Sequence, residues 1–462
     1  MENRAACFFD KLRGKRLTFI GIGVSHTDVI RMLAAKGCCI TVRDKRSRDK
    51  IGPLCDELEA LGVSFILGED YLKNLSGDVI FRTPGMKYDT PELIKAKEEG
   101  AVITSEMEMF FDLCPCKIFG ITGSDGKTTS TTIIAEMLKA EGYTVHLGGN
   151  IGKALLPVVE QVKPDDMAVV ELSSFQLISM RRSPDIALVT NLAPNHLDMH
   201  KDMQEYIDAK KNLILHQNAF SRAVLNQDNE ITAGFQSLAR GECLFFSRQK
   251  PVKQGAFLDE DGMLCMAHKD GTTKIIKAEE IRIPGVHNVE NFLGAIAAVW
   301  GYVSVDTIRK VAREFGGVEH RIEFVRELDG VKWYNDSIAT SPTRTIAGLN
   351  SFSQKMIIIA GGYDKKIPFL PLAPKIIEKV KVLILTGATA QKIEDTVTSY
   401  AGYNPRELTI LHAGDMADAV RLAREYAKAG DVVSLSPASA SFDCYPNFEA
   451  RGRHFKELVN AL

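Results

Sequence analysis

Short runs rich in Val, Ile and Leu alternate along the chain with stretches whose apolar residues recur every three or four positions. The runs are LTFIGIG, CCITVRD, DVIFRTPG, KIFGITG, DMAVVELSS, DIALVTNL, RAVLNQD, MIIIAGG, VKVLILTG, LTILHAG and DVVSLSPA. Buried strands alternating with amphipathic helices predict parallel sheets covered by helices, an α/β fold. Almost every run closes on Gly, Ser, Asn or Asp. In open α/β sheets ligands sit at the carboxyl ends of the strands, so those polar residues are the first candidates for chemistry.

The same pattern divides the chain. The first three runs form one unit that ends in the helical stretches PELIKAKEEG and SEMEMFFDL, after which LCPCK leads into a fresh strand, placing a boundary near residue 114. The second unit continues through AFLDEDGMLCMAH, a hairpin with Asp261-Gly262 as its turn, to the helical segments HNVENFLGAIAAVW and VDTIRKVAREF. Gly316-Gly317 then breaks the helical pattern and is a candidate hinge. From Ile322 a strand, a second hairpin at Asp329-Gly330 and three more strand–helix alternations are predicted. The expected domains are therefore residues 1–114, 115–319 and 320–462.

Composition narrows the function classes. A chain of 462 residues fits two to four domains, and 45% hydrophobic with 25% charged residues is ordinary globular composition. A formal net charge of −2 carries no global basic field, so neither a nucleic acid nor a membrane surface is an expected partner. The segment MENRAACFFDKLRGKR lacks the apolar core of a signal peptide, and no run approaches the roughly 18 apolar residues of a spanning helix, so the cytoplasm is expected. The nine cysteines are scattered without metal-site CxxC pairs and read as reduced thiols.

Lys117 to Thr129 reads KIFGITGSDGKTT, a strand, a glycine-rich loop, Lys127 and hydroxyl residues, followed by the helical STTIIAEMLKAEG. A helix N-terminus offers free N–H groups to an anion, and glycines let phosphate approach the backbone. Lys127 can reach the β/γ oxygens and Thr128 can ligate Mg²⁺. The segment predicts nucleoside triphosphate chemistry. Its spacing departs from GxxxxGK[ST], because Gly120 lies one residue too far from Gly126 and Ile121 takes the expected glycine position. The alternative is a plain glycine turn opening a helix. Glu171 follows the buried run MAVV, where a carboxylate is costly unless cations meet it; a helix-capping glutamate ahead of Ser173 and Ser174 is the alternative. His196 follows another buried run, a position where a lone histidine is more often structural. In the first unit Gly21-Ile22-Gly23-Val24-Ser25-His26 begins as GxGxxG but has His26 for the third glycine, with Asp44 about 20 residues on. A dinucleotide site is one reading; Lys45, Arg46 and Arg48 favour a phosphate-bearing ligand instead.

The loop Gly120 to Thr129 resembles that of the Mur ligases and folylpolyglutamate synthases, which join an amino acid to a carboxylate using ATP. The similarity extends through GGNIG (148–152), ELSSFQL (171–177), NLAPNHLDMH (191–200), YIDAK (206–210), GVHNVEN (285–291) and His320-Arg321. It continues through NDS (335–337), GGYDK (361–365) and LSPASASFDCYPNFEARG (435–452). ELSSFQL, NDS-x-AT and SPASASFDxxxNFxxRG are similar to Mur ligases that add D-glutamate, and the glycine-rich first domain sets the chain apart from folylpolyglutamate synthases.

The resemblance implies three α/β domains: a Rossmann-like UDP-binding domain, a central P-loop ATPase-like domain and a Rossmann-like amino-acid domain. It implies ligation of D-glutamate to UDP-N-acetylmuramoyl-L-alanine through an acyl phosphate in peptidoglycan precursor synthesis, by a monomer. Other amino-acid selectivity within the family, and an ATP-hydrolysing switch without ligation, are the alternatives. Lys127, Glu171, His196 and Lys210 are implied as catalytic. Gly123, Ser124, Asp125, Gly126, Lys127, Thr128, Thr129, Asn288, Arg321 and Asp336 are implied for ATP. Thr128, Glu171, His196 and Lys210 would serve two Mg²⁺ ions, Lys210 as a carbamate, with Lys211 adjacent to it. Val24, Ser25, Lys45, Arg46, Thr83, Asn150, Ser173, Gln176 and His196 are implied for the UDP substrate, and Lys365, Thr340, Ser441 and Phe448 for D-glutamate. The chain departs from the family in having Asn195 where aspartate is common and Ile338 where many members have lysine, with Lys366 or Arg344 available to compensate.

Overall fold

The computed structural model describes residues 4–194 and 199–462, apart from the side chain of Val24. His196 and the departure at Asn195 lie outside the described residues. Three sheets, of five, nine and six strands, organise the described chain. The first comprises β1 (Arg16–Ile20), β2 (Cys39–Asp44), β3 (Ser64–Leu67), β4 (Val79–Arg82) and β5 (Val102–Thr104), all parallel, in the order β3-β2-β1-β4-β5. Its order reverses between β1 and β4, where the loops carrying Gly21–Ser25 and Thr83 emerge side by side. Phe19 and Phe81 stack at 4.2 Å across the same two strands, which fixes that junction from within the core.

The second sheet comprises β6 (Lys117–Thr122), β7 (Val145–Gly149), β8 (Met167–Glu171), β9 (Ile186–Val189), β10 (Arg222–Asn226), β11 (Glu242–Ser247), β12 (Gly255–Leu258), β13 (Met263–His268) and β14 (Gly271–Lys277). Its order is β14-β13-β12-β11-β10-β9-β6-β8-β7, parallel from β7 to β12, with β13 and β14 antiparallel at the edge. The predicted hairpin at Asp261-Gly262 is present, with Gly262 at φ 75°. β8 and β9 are buried along their whole length, as expected of strands covered on both faces. β6 lies between β8 and β9, so the loops after these three strands open at one place.

The third sheet comprises β15 (Glu323–Leu328), β16 (Val331–Asn335), β17 (Met356–Ala360), β18 (Val380–Leu385), β19 (Thr409–His412) and β20 (Val432–Leu435), in the order β15-β16-β20-β17-β18-β19. Only the β15/β16 pair is antiparallel, joined by Asp329 (φ 50°) and Gly330 (φ 76°) in the left-handed geometry that a two-residue hairpin demands. Four strand–helix alternations follow it, one more than the three expected, and their strands coincide with the runs MIIIAGG, VKVLILTG, LTILHAG and DVVSLSPA. The first two sheets belong to one compact unit, Met1–Ala278 with Glu290–Val311; the third belongs to another, Glu279–Val289 with Ala312–Leu462. Among the described residues no helix is long and apolar enough to cross a membrane.

Within the first unit a buried carboxyl group ties the helix Glu106–Leu113 to the segment that follows β7. Glu106 Oε1 accepts the backbone N–H groups of Leu155 and Leu156 at 3.1 and 3.2 Å. Burial pushes its pKa up from 4.5 to about 7, the two amides opposing the shift. A raised carboxyl pKa makes this group's contribution greatest below about pH 4.5 and erodes it as pH climbs through 7. Glu106→Gln should therefore gain stability on the wild type as pH rises from 5 to 8, by an amount on the order of 3 kcal/mol at most. Urea unfolding at several pH values checks this; a difference that stays constant across that window contradicts it.

Candidate active site

The loop after β6 is built from residues of both neighbouring strand ends. Gly120 and Ile121 belong to β6 itself, which explains the unusual spacing. Ile121 is a buried strand residue paired with Glu171 and Leu188, and a Cβ on Gly120 would lie 2.6 Å from Pro184. The phosphate-type loop therefore starts at Gly123. Gly126, at φ 74°, opens the helix Lys127–Glu141 in left-handed geometry, with the Asn291 amide oxygen directly against the space a side chain would need. That oxygen also accepts from Ser130 Oγ at 3.2 Å, so the helix Val286–Val299 buttresses the helix start.

Strand ends and a neighbouring helix brace the same loop. Ser124 N–H donates to Asn191 O, Asp125 N–H to Asn191 Oδ1, and Thr190 Oγ1 to Asp125 O at 2.6 Å. Ser124 Oγ meets Tyr206 OH at 2.9 Å and exchanges hydrogen bonds with both backbone groups of Ala193. The helix Met203–Leu215, capped by Asp202, buries Tyr206, Ala209, Lys210, Leu213 and Ile214, the spacing of an amphipathic stripe with a lysine in the middle.

Two lysines converge on this loop. Lys127 Nζ donates to Gly123 O at 3.0 Å and Ser124 O at 2.9 Å. Lys210 Nζ, on a residue only 1% exposed, donates to Thr122 Oγ1 and to the same Gly123 O, both at 2.9 Å, above the Tyr206 ring. Burial, then the Lys127 charge, holds the Lys210 pKa well below the ordinary lysine value, and Glu171 pulls the other way. Glu171, the last residue of β8, is 1% exposed. Its Oε1 accepts Asn150 Nδ2 at 2.8 Å, whereas Oε2 is buried without a hydrogen-bond partner. An orphaned buried carboxylate oxygen is costly, and its hard-donor chemistry suits a cation such as Mg²⁺. Glu171 caps no helix: that role falls to Ser173, in a reciprocal capping box with Gln176 over Ser174–Leu177.

In the first sheet, Ser25 lies in the opening turn of Val24–Ala35, and the Thr83 methyl is 3.2 Å from where a Gly21 Cβ would stand. Asp44 accepts from Ile22 N–H, Arg46 N–H and the Arg46 guanidinium, and Arg46 also donates to Ile22 O. A carboxylate so fully engaged is poorly placed to read a ribose, so the dinucleotide reading gains no support. His26 replaces the third glycine by turning inward. Its Nδ1 sits 2.7 Å from Gly21 O, its ring is edge-on to Phe19, and burial lowers its pKa to about 4. Lys45 is exposed, 3.5 Å from Glu69.

In the other unit, Lys365 Nζ donates to Thr340 Oγ1 at 3.2 Å. Ser441 is buried, and Phe448 begins the helix Phe448–Ala461 with its ring edge-on to His320. Asp336 is buried between Ser436 Oγ at 2.9 Å and Ile322 N–H at 3.3 Å; desolvation lifts its pKa to about 7, with Arg321 and Arg344 opposing. Asn288 donates to Pro284 O at 2.6 Å.

Residues 121–299 match the Mur ligase middle domain, and residues 320–439 match the Mur ligase glutamate ligase domain. A UDP-N-acetylmuramoylalanine–D-glutamate ligase of Acetivibrio thermocellus is 53% identical over the full length of both chains, and one of Clostridium botulinum is 50% identical, also full length. The chain belongs to the Mur ligase family. The crystal structure of a UDP-N-acetylmuramate–alanine ligase from Thermotoga maritima shares the fold, with TM-score 0.57 at 18% identity over 97% of this chain and 99% of that one.

This Mur ligase also uses residues that sequence reasoning quoted without assigning. Tyr206 holds the loop serine, and its place in the YIDAK motif was the available signal. Arg451, in NFEARG, is 3% exposed and donates to Ser337 Oγ, Ser337 O, Ala440 O and Ser439 O, tying the strand-end segments after β16 and β20 together. Desolvation lowers its pKa to about 10. Gly126→Ala should cost about 1–3 kcal/mol in backbone strain alone and displace Asn291. Thermal melting should show a lower midpoint and, with Mg-ATP added, a nucleotide-induced rise that is at least halved; an unchanged rise would exclude Gly126 from the nucleotide loop.

Proposed function

We propose that this Mur ligase joins the amine of D-glutamate to the L-alanine carboxylate of UDP-N-acetylmuramoyl-L-alanine, converting ATP to ADP and phosphate, in peptidoglycan precursor synthesis. Full-length similarity of 53% identity to a protein named for that ligation carries the reading. An amide does not form from a carboxylate and an amine in water without activation. The substrate carboxylate therefore attacks the γ-phosphorus, releasing ADP and forming an acyl phosphate. The D-glutamate amine then attacks the acyl carbon, and phosphate leaves as the amide forms.

Residues 123–129 present backbone N–H groups and Lys127 to the triphosphate, where positioning and charge neutralisation dominate phosphoryl transfer. The buried Lys210 amine, its proton weakened by desolvation and by Lys127, is suited to reaction with CO₂, which would convert it to an anionic carbamate with release of a proton. Thr128, Glu171, His196 and carbamylated Lys210 would hold two Mg²⁺ ions; the unpartnered Glu171 oxygen supports that assignment. Bound Mg²⁺ would neutralise charge on the transferring phosphoryl group. Asn288, Arg321 and Asp336 are assigned to ATP as well.

Ser25, Lys45, Arg46 and Thr83, with Val24, receive the UDP moiety of the substrate, and Asn150, Ser173, Gln176 and His196 its muramoyl portion. Lys365, with Thr340, Ser441 and Phe448, receives D-glutamate, whose two carboxylates call for a cation and hydrogen-bond donors. Residues 1–114, 115–319 and 320–462 are the corresponding domains of a cytoplasmic monomer.

The test is phosphate release from Mg-ATP and UDP-N-acetylmuramoyl-L-alanine with D-glutamate, L-glutamate or no amino acid, with the product mass determined. Turnover that requires D-glutamate and yields the amide adduct is expected; turnover with another amino acid only, or without any, overturns the reading. Glu171→Gln should lower kcat at least 100-fold while the KM for D-glutamate changes less than about threefold, since the lost charge acts on phosphoryl transfer.

A further inference from the structure

His200 lies outside the roles assigned so far, yet its ring makes directional contacts on every side. The residue is 5% exposed. Nε2 is 2.8 Å from Ser174 Oγ, and Nδ1 is 3.2 Å from Glu205 Oε2. One ring face stacks on Phe175 at 5.1 Å with planes 4° apart, and an edge meets the Tyr206 ring at 5.4 Å. Glu205 is fixed in turn by the backbone N–H of Lys201 at 2.9 Å. A carboxylate at Nδ1 favours the tautomer with a proton there, leaving Nε2 to accept from the Ser174 hydroxyl.

These partners stand on two different elements. Ser174 opens the short helix three residues beyond Glu171, whereas Glu205 and Tyr206 belong to the helix that carries Lys210. The same arrangement reaches the nucleotide loop through Tyr206 OH and Ser124 Oγ. It reaches the first sheet through Arg82, which donates to Phe175 O at 3.0 Å and Ser179 Oγ at 3.1 Å.

We propose that His200 is a positioning residue for phosphoryl transfer, a Ser174–His200–Glu205 clamp that sets the turn carrying Glu171 in register with the helix carrying Lys210. The proposal rests on the ATP-dependent ligation reading above. A planar ring with two opposed polar atoms bridges the elements at fixed distance, which a flexible side chain would do only at an entropic cost. Misplacing such a group by about 1 Å is enough to cost a hundredfold in rate.

Three variants test it. His200→Phe keeps the stacked ring and removes both hydrogen bonds, His200→Asn keeps one polar reach, and Ser174→Ala removes one partner with little change of volume. The expected result for His200→Phe and Ser174→Ala is a 10- to 100-fold fall in kcat and at least a fivefold higher Mg²⁺ concentration for half-maximal rate. The KM for D-glutamate should stay within twofold, and His200→Asn should recover part of the rate. Calorimetric titration of the same variants with ATP at several Mg²⁺ concentrations should show the Mg²⁺-dependent gain in affinity reduced at least fivefold. If thermal midpoints fall while Mg²⁺ dependence and kcat per folded molecule match the wild type, the clamp is structural only and the proposal fails. Should His200→Phe not fold, Ser174→Ala decides by the same criteria. Failure of the wild type to use D-glutamate would sink the ligation reading, whereas the Mg²⁺-dependent ATP titrations still decide the clamp.

Discussion

A lysine amine buried to 1% exposure must have its hydrogens accepted, and the acceptors that Lys210 finds are the hydroxyl at the end of β6 and the first carbonyl of the loop after it. That requirement fixes the loop from beneath, and Lys127 fixes the same carbonyl from the helix side. Burial and the neighbouring Lys127 charge weaken the hold of Lys210 on a proton, and Glu171 is the nearby charge that opposes this. Loop conformation, the chemistry available to Lys210 and the charge balance around Glu171 are thus consequences of one packing decision.

That decision is supported by the parallel sheet. β6 is flanked by β8 and β9, so Thr122, Glu171 and Thr190 finish at one level, and each contributes a group to the loop or beside it. The surrounding hydrogen bonds mainly join side chains to backbone: Asp125 N–H donates to Asn191 Oδ1, Ser124 Oγ to Ala193 O and Thr190 Oγ1 to Asp125 O. The first N–H groups of a helix have no partner within it, which is what makes the start of the helix Lys127–Glu141 a candidate anion site. Rigidity here comes from many modest bonds of about 1 kcal/mol each and from no single strong one.

The unit containing the third sheet solves a comparable problem with a guanidinium. Arg451 is buried among four backbone and hydroxyl acceptors, and its planar fork links segments that follow different strands. Burial raises the pKa of Asp336 nearby to about 7, against the serine hydroxyl and backbone amide that hold it. Polar interiors of this kind hold loop ends in one arrangement, which an apolar filling would leave free to slide.

The alternation of apolar runs, the two Asp-Gly hairpins and the KIFGITGSDGKTT segment were sufficient to establish α/β architecture and a phosphate-type loop, because strand burial, turn geometry and helix starts are local properties. The motif order carried the family. Other features were beyond local reading. Whether Gly120 lined the loop or packed under Pro184 depended on the segment leading into β9, far along the chain. The lysine at position 210 sat in an otherwise apolar stripe, a visible anomaly, but its acceptors lie 87 and 88 residues earlier in the chain. Asp44 and His26 looked like parts of a dinucleotide fingerprint until their partners, Arg46 with Ile22 and Gly21 with Phe19, were seen to occupy them. Sequence determined which elements form and which chemistry they can offer; tertiary structure alone decided which polar atoms are spent on holding the fold and which are left over for a ligand, because hydrogen-bond partners are set by proximity in space.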